Sequence, residues 1–159
     1  MKIDPKTYLT AAQKYADKQS GCQKVAVGCV LISPSDPKLH IFGCNKTLPF
    51  DCRKAGCRRI ALYGEDSKDH RLPSDCRAVH SEVDAITQAA RFGHPVYKGV
   101  MYVTRYPCEA CARAIVSAGI KHVYYGRKQE VSEETQCIFD EGHVEVTHVD
   151  DWYYADTRR

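Results

Sequence analysis

The chain has no long apolar run, no cluster of lysine or arginine, no internal repeat and no low-complexity stretch. A bilayer-spanning helix needs about 20 consecutive apolar residues. None is present, so no membrane partner is expected. The N-terminus also lacks the basic-then-apolar order of a secretory leader, which points to a protein that stays in the cytoplasm. The 23 Lys+Arg barely exceed the 20 Asp+Glu, for a net charge of +3 spread along the chain. A nucleic-acid-binding face is therefore not expected, whereas a small anionic ligand suits the balance. A length of 159 residues is enough for one ordinary core, and residues 1–159 are expected to form a single domain.

Cysteine, by contrast, is plentiful. Nine in a chain without an export signal are expected to be reduced, several as metal ligands, and an odd number cannot all pair. Their most informative placement is Pro107-Cys108-Glu109-Ala110-Cys111, which follows His80-Ser81-Glu82 in the sequence. His80, Cys108 and Cys111 offer one imidazole and two thiolates, a zinc-binding set that leaves the fourth tetrahedral position for water. A structural zinc normally fills all four positions with protein atoms. Glu82, two residues beyond a ligand, is placed to move protons. Alone, C-x-x-C also reads as a redox pair or half a structural zinc site, and H-x-E is a common accident. The ordered combination is far more specific, because each half sits at the mouth of an expected helix.

Those helices follow from spacing. Residues 79–91 are apolar at Val79, Val83, Ile86, Ala89 and Ala90, an approximate helical stripe, so His80 and Glu82 are expected in a first turn. Cys108 and Cys111 are three apart and share a face of a helix that continues through Ala112, Ile115 and Val116 to Ala118, before Gly119. Two positive helix ends then converge on the metal, favouring thiolate over thiol. Elsewhere, residues 4–20 read as a helix opened by Asp4-Pro5, and residues 132–140 as a last one. Residues 25–33 and 39–44 read as paired strands across Pro34-Ser35-Asp36-Pro37, with further strands at 99–104, 122–125 and 144–149. Residues 45–73 show little period and read as a long loop, functional or tied down. Strand–helix alternation implies an α/β protein with parallel strands and helices on both faces.

On these residues the chain resembles the cytidine/deoxycytidylate deaminase superfamily, most closely the deoxycytidylate (dCMP) deaminases of bacterial and phage type. H-x-E followed by P-C-x-x-C is the signature of zinc-dependent nucleobase deaminases. The resemblance runs from about Ala11 to Arg127, through residues 22–32, Gly43-Cys44-Asn45, 52–57, 76–91 and 99–125. It implies a three-layer α/β/α cytidine-deaminase-like fold with a five-stranded mixed sheet. It also implies zinc-dependent hydrolysis of dCMP to dUMP and ammonia, supplying dUMP for thymidylate synthesis. Within the enzyme class, dCTP, free deoxycytidine or another amino-heterocycle such as a riboflavin precursor are alternative substrates. Outside it, the alternative is a non-catalytic, zinc-stabilised module. A homo-oligomer, commonly a hexamer, is implied as well, in the cytoplasm, or in a host's cytoplasm if the chain is phage-encoded.

The resemblance assigns further roles. Glu82 is the proton carrier. Ser81 stands where the family usually has alanine and keeps the backbone N–H that meets the pyrimidine carbonyl. Asn45 matches an asparagine that contacts the sugar, or else caps its own turn. Lys24 and Arg105 are the cations for a phosphate, or else solvated surface charges. Cys22, Cys52, Cys57, His70 and Cys76 surround the long loop. Some relatives hold a second, structural zinc at positions matching Cys22, Cys52 and His70. The alternative is that Cys22 is apolar filler and the others are loop thiols. Two departures stand out. Gly43-Cys44-Asn45-Lys46 replaces a Gly-Tyr-Asn-Gly pattern where relatives bind dCTP with Mg2+, so control by dCTP and dTTP is expected to be weakened or altered. Asp84 replaces an asparagine, with consequences for helix capping or substrate preference.

Overall fold

The computed structural model describes residues 3–65, 75–127 and 131–155. Helix α1 (Pro5–Gln19) begins where Asp4 accepts the Lys6 N–H and Pro5 takes the first helical position. Strands β1 (Gly28–Ser33) and β2 (Asp36–Cys44) form a hairpin. With β3 (Val100–Arg105), β4 (His122–Arg127) and β5 (Glu145–His148) they build one five-stranded sheet in the order β2-β1-β3-β4-β5. β1 is antiparallel to β2 and β3, while β3, β4 and β5 are mutually parallel, so the sheet is mixed.

Strand alternation sorts the side chains between the two faces. Val30 and Tyr102 pack with Leu9 and Ala12 of α1. Their neighbours Cys29, Leu31, Met101 and Val103 join the opposite core, to which α4 (Ser81–Arg91), α5 (Glu109–Ser117) and α6 (Glu133–Glu141) bring Ala85, Ala89, Ala112, Ile115 and Phe139. This is the three-layer α/β/α arrangement. At Gly43 a side chain would collide with the Ser81 carbonyl and the Ala85 nitrogen, so the absence of a Cβ lets α4 lie directly on β2. Among the described residues, no helix is long and apolar enough to cross a membrane.

The structure departs from the sequence expectations where side chains take over backbone groups. β1 starts at Gly28, not Val25. Asn45 Nδ2 donates to the Val25 carbonyl at 2.8 Å, Gln13 Nε2 to that of Ala26 at 3.0 Å, and the Val27 N–H to Asn45 Oδ1 at 2.9 Å. β2 starts at Asp36 and includes Pro37, which an edge strand tolerates. The expected loop at 45–73 contains two short helices, α2 (Cys52–Ala55) and α3 (Arg58–Tyr63). Asp51 caps α2 by accepting the Arg53 N–H at 3.0 Å, and Gly56 and Gly64, at φ 84° and 78°, end the two helices.

Candidate functional site

The site is built at the adjoining starts of α4 and α5. His80 and Cys108 are not in the first turns, as the spacing suggests, but are the N-cap residues of these helices. Both backbones are extended (φ −68°, ψ 155° and φ −81°, ψ 170°), and neither side chain caps its own helix. Released from capping, the two side chains meet. His80 Nδ1 lies 3.4 Å from Cys108 Sγ and 3.4 Å from Cys111 Sγ, and all three donor atoms fall within 4.8 Å of one another. Zn–N bonds of about 2.0–2.1 Å and Zn–S bonds of about 2.3 Å at tetrahedral angles give N···S edges of about 3.6 Å, so this donor set fits zinc. Among the described residues it is the one group of three or more His, Cys, Asp or Glu side chains spaced to hold a metal.

The thiols form a coupled pair. Hydrogen bonding from Cys111, joined by His80, holds the Cys108 thiol well below its usual range, at about 3, against the opposing effect of burial. The same contact with Cys108, together with burial and the nearby Glu82 carboxylate, pushes the Cys111 thiol up. A divalent cation bound here would displace the thiol protons of this pair. His80 is raised by its contact with Cys108 against burial.

Glu82 follows two residues into α4 and is only 4% exposed. Burial pushes its carboxyl above the ordinary carboxylate range, partly offset by its own backbone N–H, by His80 and by Ser81. The buried Ser81 hydroxyl donates to Glu82 Oε2 at 2.9 Å, which orients the carboxylate. A cavity of about 710 Å³ opens on the three donors, with His80, Cys108 and Cys111 in its wall.

Asn45, Lys24 and Arg105, also singled out from the sequence, are not in the wall of this cavity, and neither are Ser81 and Glu82. Asn45 is buried and its side chain is engaged with Ser20 Oγ at 2.6 Å, the Val27 N–H and the Val25 carbonyl. Its visible role is to tie the segment before β1 to the end of β2. Lys24 Nζ donates to the Glu65 carbonyl at 2.8 Å, and neither Lys24 nor Arg105 lines the cavity. Arg59 of α3 and Arg113 of α5 line it instead, and Arg59 is near enough to His80 to oppose its protonation. Arg59 sits in the aperiodic loop and Arg113 on the polar side of α5, and spacing alone marks neither. Tyr106, also in the wall, packs edge-on against Tyr125 at 4.9 Å.

In the second cysteine set, Cys52 is buried. Its thiol is raised by burial and by the nearby Cys57 and Cys22, against a hydrogen bond with Thr47. Cys76 lines the His80 cavity. His70 lies outside the described residues. Among the described residues, no three donors of this set reach metal-holding spacing.

Three comparisons with known proteins bear on the site. The family described as "Cytidine and deoxycytidylate deaminase zinc-binding region" matches residues 2–127. ComE operon protein 2 of Bacillus subtilis is 30% identical over 145 residues, covering 90% of this chain and 70% of that protein. The deoxycytidylate deaminase of Mycobacterium phage D29 is 29% identical over 126 residues, covering 76% and 93%. In fold, the chain is similar to the dCMP deaminase of cyanophage S-TIM5 solved in complex with dCMP and dUMP, with a TM-score of 0.67 and 19% identity over 93% of this chain and 100% of that one.

Proposed function

We propose that this chain, which belongs to the cytidine and deoxycytidylate deaminase family, hydrolyses dCMP to dUMP and ammonia. The carrying observation is the donor set of His80, Cys108 and Cys111 at zinc-binding spacing, with the buried Glu82 two residues beyond His80 and a cavity of about 710 Å³, room enough for a nucleotide, opening on the donor set.

His80, Cys108 and Cys111 would hold zinc, which would supply a Lewis acid able to draw the pKa of a water from about 15.7 toward neutrality. Glu82 takes a proton from the attacking water as its oxygen bonds to C4 of cytosine, and delivers it to N3. Glu82 then carries the water's second proton to the departing amine as the C4–N bond breaks. Ammonia leaves, and the oxygen stays on C4 as the uracil carbonyl. A carboxyl raised by burial suits a group that must both accept and return protons near neutral pH. Ser81 keeps one carboxylate oxygen occupied. Its own backbone N–H, in the first turn of α4, has no intrahelical acceptor and is the donor that the family resemblance assigns to the pyrimidine carbonyl. Arg59 in the cavity wall is the cation for a monophosphate, while Arg113 is paired with Glu109 and Glu134, each at 3.7 Å.

The reading extends to a cytoplasmic homo-oligomer, a hexamer by family resemblance, that supplies dUMP for thymidylate synthesis. It includes a second, structural zinc around Cys52 with His70 among its ligands, and a weakened or altered response to dCTP with Mg2+ and to dTTP. Ammonia release from dCMP, dCTP, deoxycytidine and an aminopyrimidine riboflavin precursor tests the central part. The expected result is a kcat/KM for dCMP at least about tenfold above the rest. A preference for another substrate would reassign the reaction, and no release from any of them by zinc-loaded protein would reduce the metal to a structural role.

A further inference from the structure

The two departures from the family pattern, Lys46 and Asp84, are in contact. Lys46 Nζ lies 3.1 Å from Asp84 Oδ2, with the Asp84 side chain 6% exposed and that of Lys46 20%. The same carboxylate accepts the Cys44 N–H at 3.0 Å and Gln88 Nε2–H at 3.2 Å, while Tyr15 hydrogen-bonds to Lys46. Lys46 also acts through its backbone. Its carbonyl accepts the Val79 N–H at 2.7 Å, in the bridge that immediately precedes His80. One residue at the end of β2 thus grips both ends of residues 79–84, the stretch that carries His80, Ser81 and Glu82.

We propose that Lys46 and Asp84 are positioning residues, an ion pair that fixes the entry of α4 against β2 and so sets where the His80 imidazole and the Glu82 carboxylate stand. A buried ion pair adds little net stability over an apolar pair, but leaving either charge alone is costly, so its effect is to enforce one arrangement. Gly43 makes that arrangement close by bringing β2 against the α4 backbone. With its ammonium held by Asp84, Lys46 serves the active helix and not the phosphates of an effector at the Gly43-Cys44-Asn45-Lys46 turn.

The kinetic half of the test rests on the dCMP deaminase reading; the metal half does not. Asp84→Asn and Lys46→Met each strand one charge, and the double variant strands none. Each single variant is expected to lower kcat on dCMP and zinc affinity, measured against a chelator, by about 10- to 100-fold, the scale seen when a metal ligand loses its support, here transmitted through the start of α4, with KM shifted far less. The double variant is expected to recover at least about tenfold of that loss. Asp84→Glu retains both charges but displaces one by a methylene. It covers the case in which a stranded charge prevents folding, and is expected to lower kcat while the melting temperature stays within about 3 °C. Single variants that melt lower yet keep kcat and zinc affinity within about twofold would overturn the proposal. So would an Asp84→Glu protein with parental kcat, or a double variant as impaired as the two singles multiplied. If the parent releases no ammonia from dCMP, the deaminase reading fails, and the zinc-affinity cycle alone decides the pairing.

Discussion

At the residue scale, the chemistry depends on what each side chain beside the three donors is free to do. His80 and Cys108 occupy N-cap positions yet make no side-chain cap hydrogen bond, so their donor atoms are available to a metal. Glu82 touches Cys111 but takes its orientation from Ser81, which suits a mobile-proton carrier better than a fourth ligand. Glu82→Gln should therefore bind zinc as the parent does while kcat falls by about 10²–10⁴, because an amide can hydrogen-bond to water but cannot carry its proton. Metal analysis alongside dUMP formation checks both halves, and activity within a few-fold of the parent would remove Glu82 from the mechanism. The placement of His80, Glu82, Cys108 and Cys111 at two helix starts was legible because short-range spacing encodes it. The cations of the cavity wall were not. Lys24 and Arg105 flank the motif segments in sequence, whereas the three-dimensional path of α3 brings Arg59 into the wall. Reading Lys46 and Asp84 together as opposite charges was the one available signal for their pairing.

At the element scale, the metal ties two helix starts together. Loss of one thiolate leaves two protein ligands, a poor zinc site. Cys111→Ala is thus expected to lose both zinc and activity, checked by metal content after dialysis. Full occupancy at that site would mean the ligands are misassigned. Long amphipathic helices and alternating strands were readable to within a few residues, since 3.6- and 2-residue periods need length to show. α2 and α3, of four and six residues, have no such length, and their signals are local: the Asp51 cap and the glycines at 56 and 64. The start of β1 was misplaced because Asn45 and Gln13 bond to its approach from a distance in sequence. Around α2, a second zinc would anchor a segment poor in apolar residues. Metal content is then expected near about two per chain, falling toward one in Cys52→Ser with a larger loss of stability than of kcat. A parental content of one, held at His80, would sink the second site.

At the scale of the whole molecule, one continuous core between the sheet and α4, α5 and α6 holds the two ligand-bearing helix starts in register. Phe139 is fully buried there and meets the cavity-lining Tyr106 edge-on at 6.3 Å. Phe139→Ala is expected to cost about 3–5 kcal/mol of stability by urea unfolding. Binding of zinc at the first site should persist under native conditions, because the ligands come from other elements. If a zinc-activated water and Glu82 act together on dCMP, stripping the protein of metal, adding zinc back stepwise and following dUMP formation from dCMP reveals it. No turnover is expected without metal, and activity should rise with occupancy of the His80, Cys108 and Cys111 site, saturating when that site is full. Turnover that survives complete metal removal, or a filled site that forms no dUMP, would contradict it.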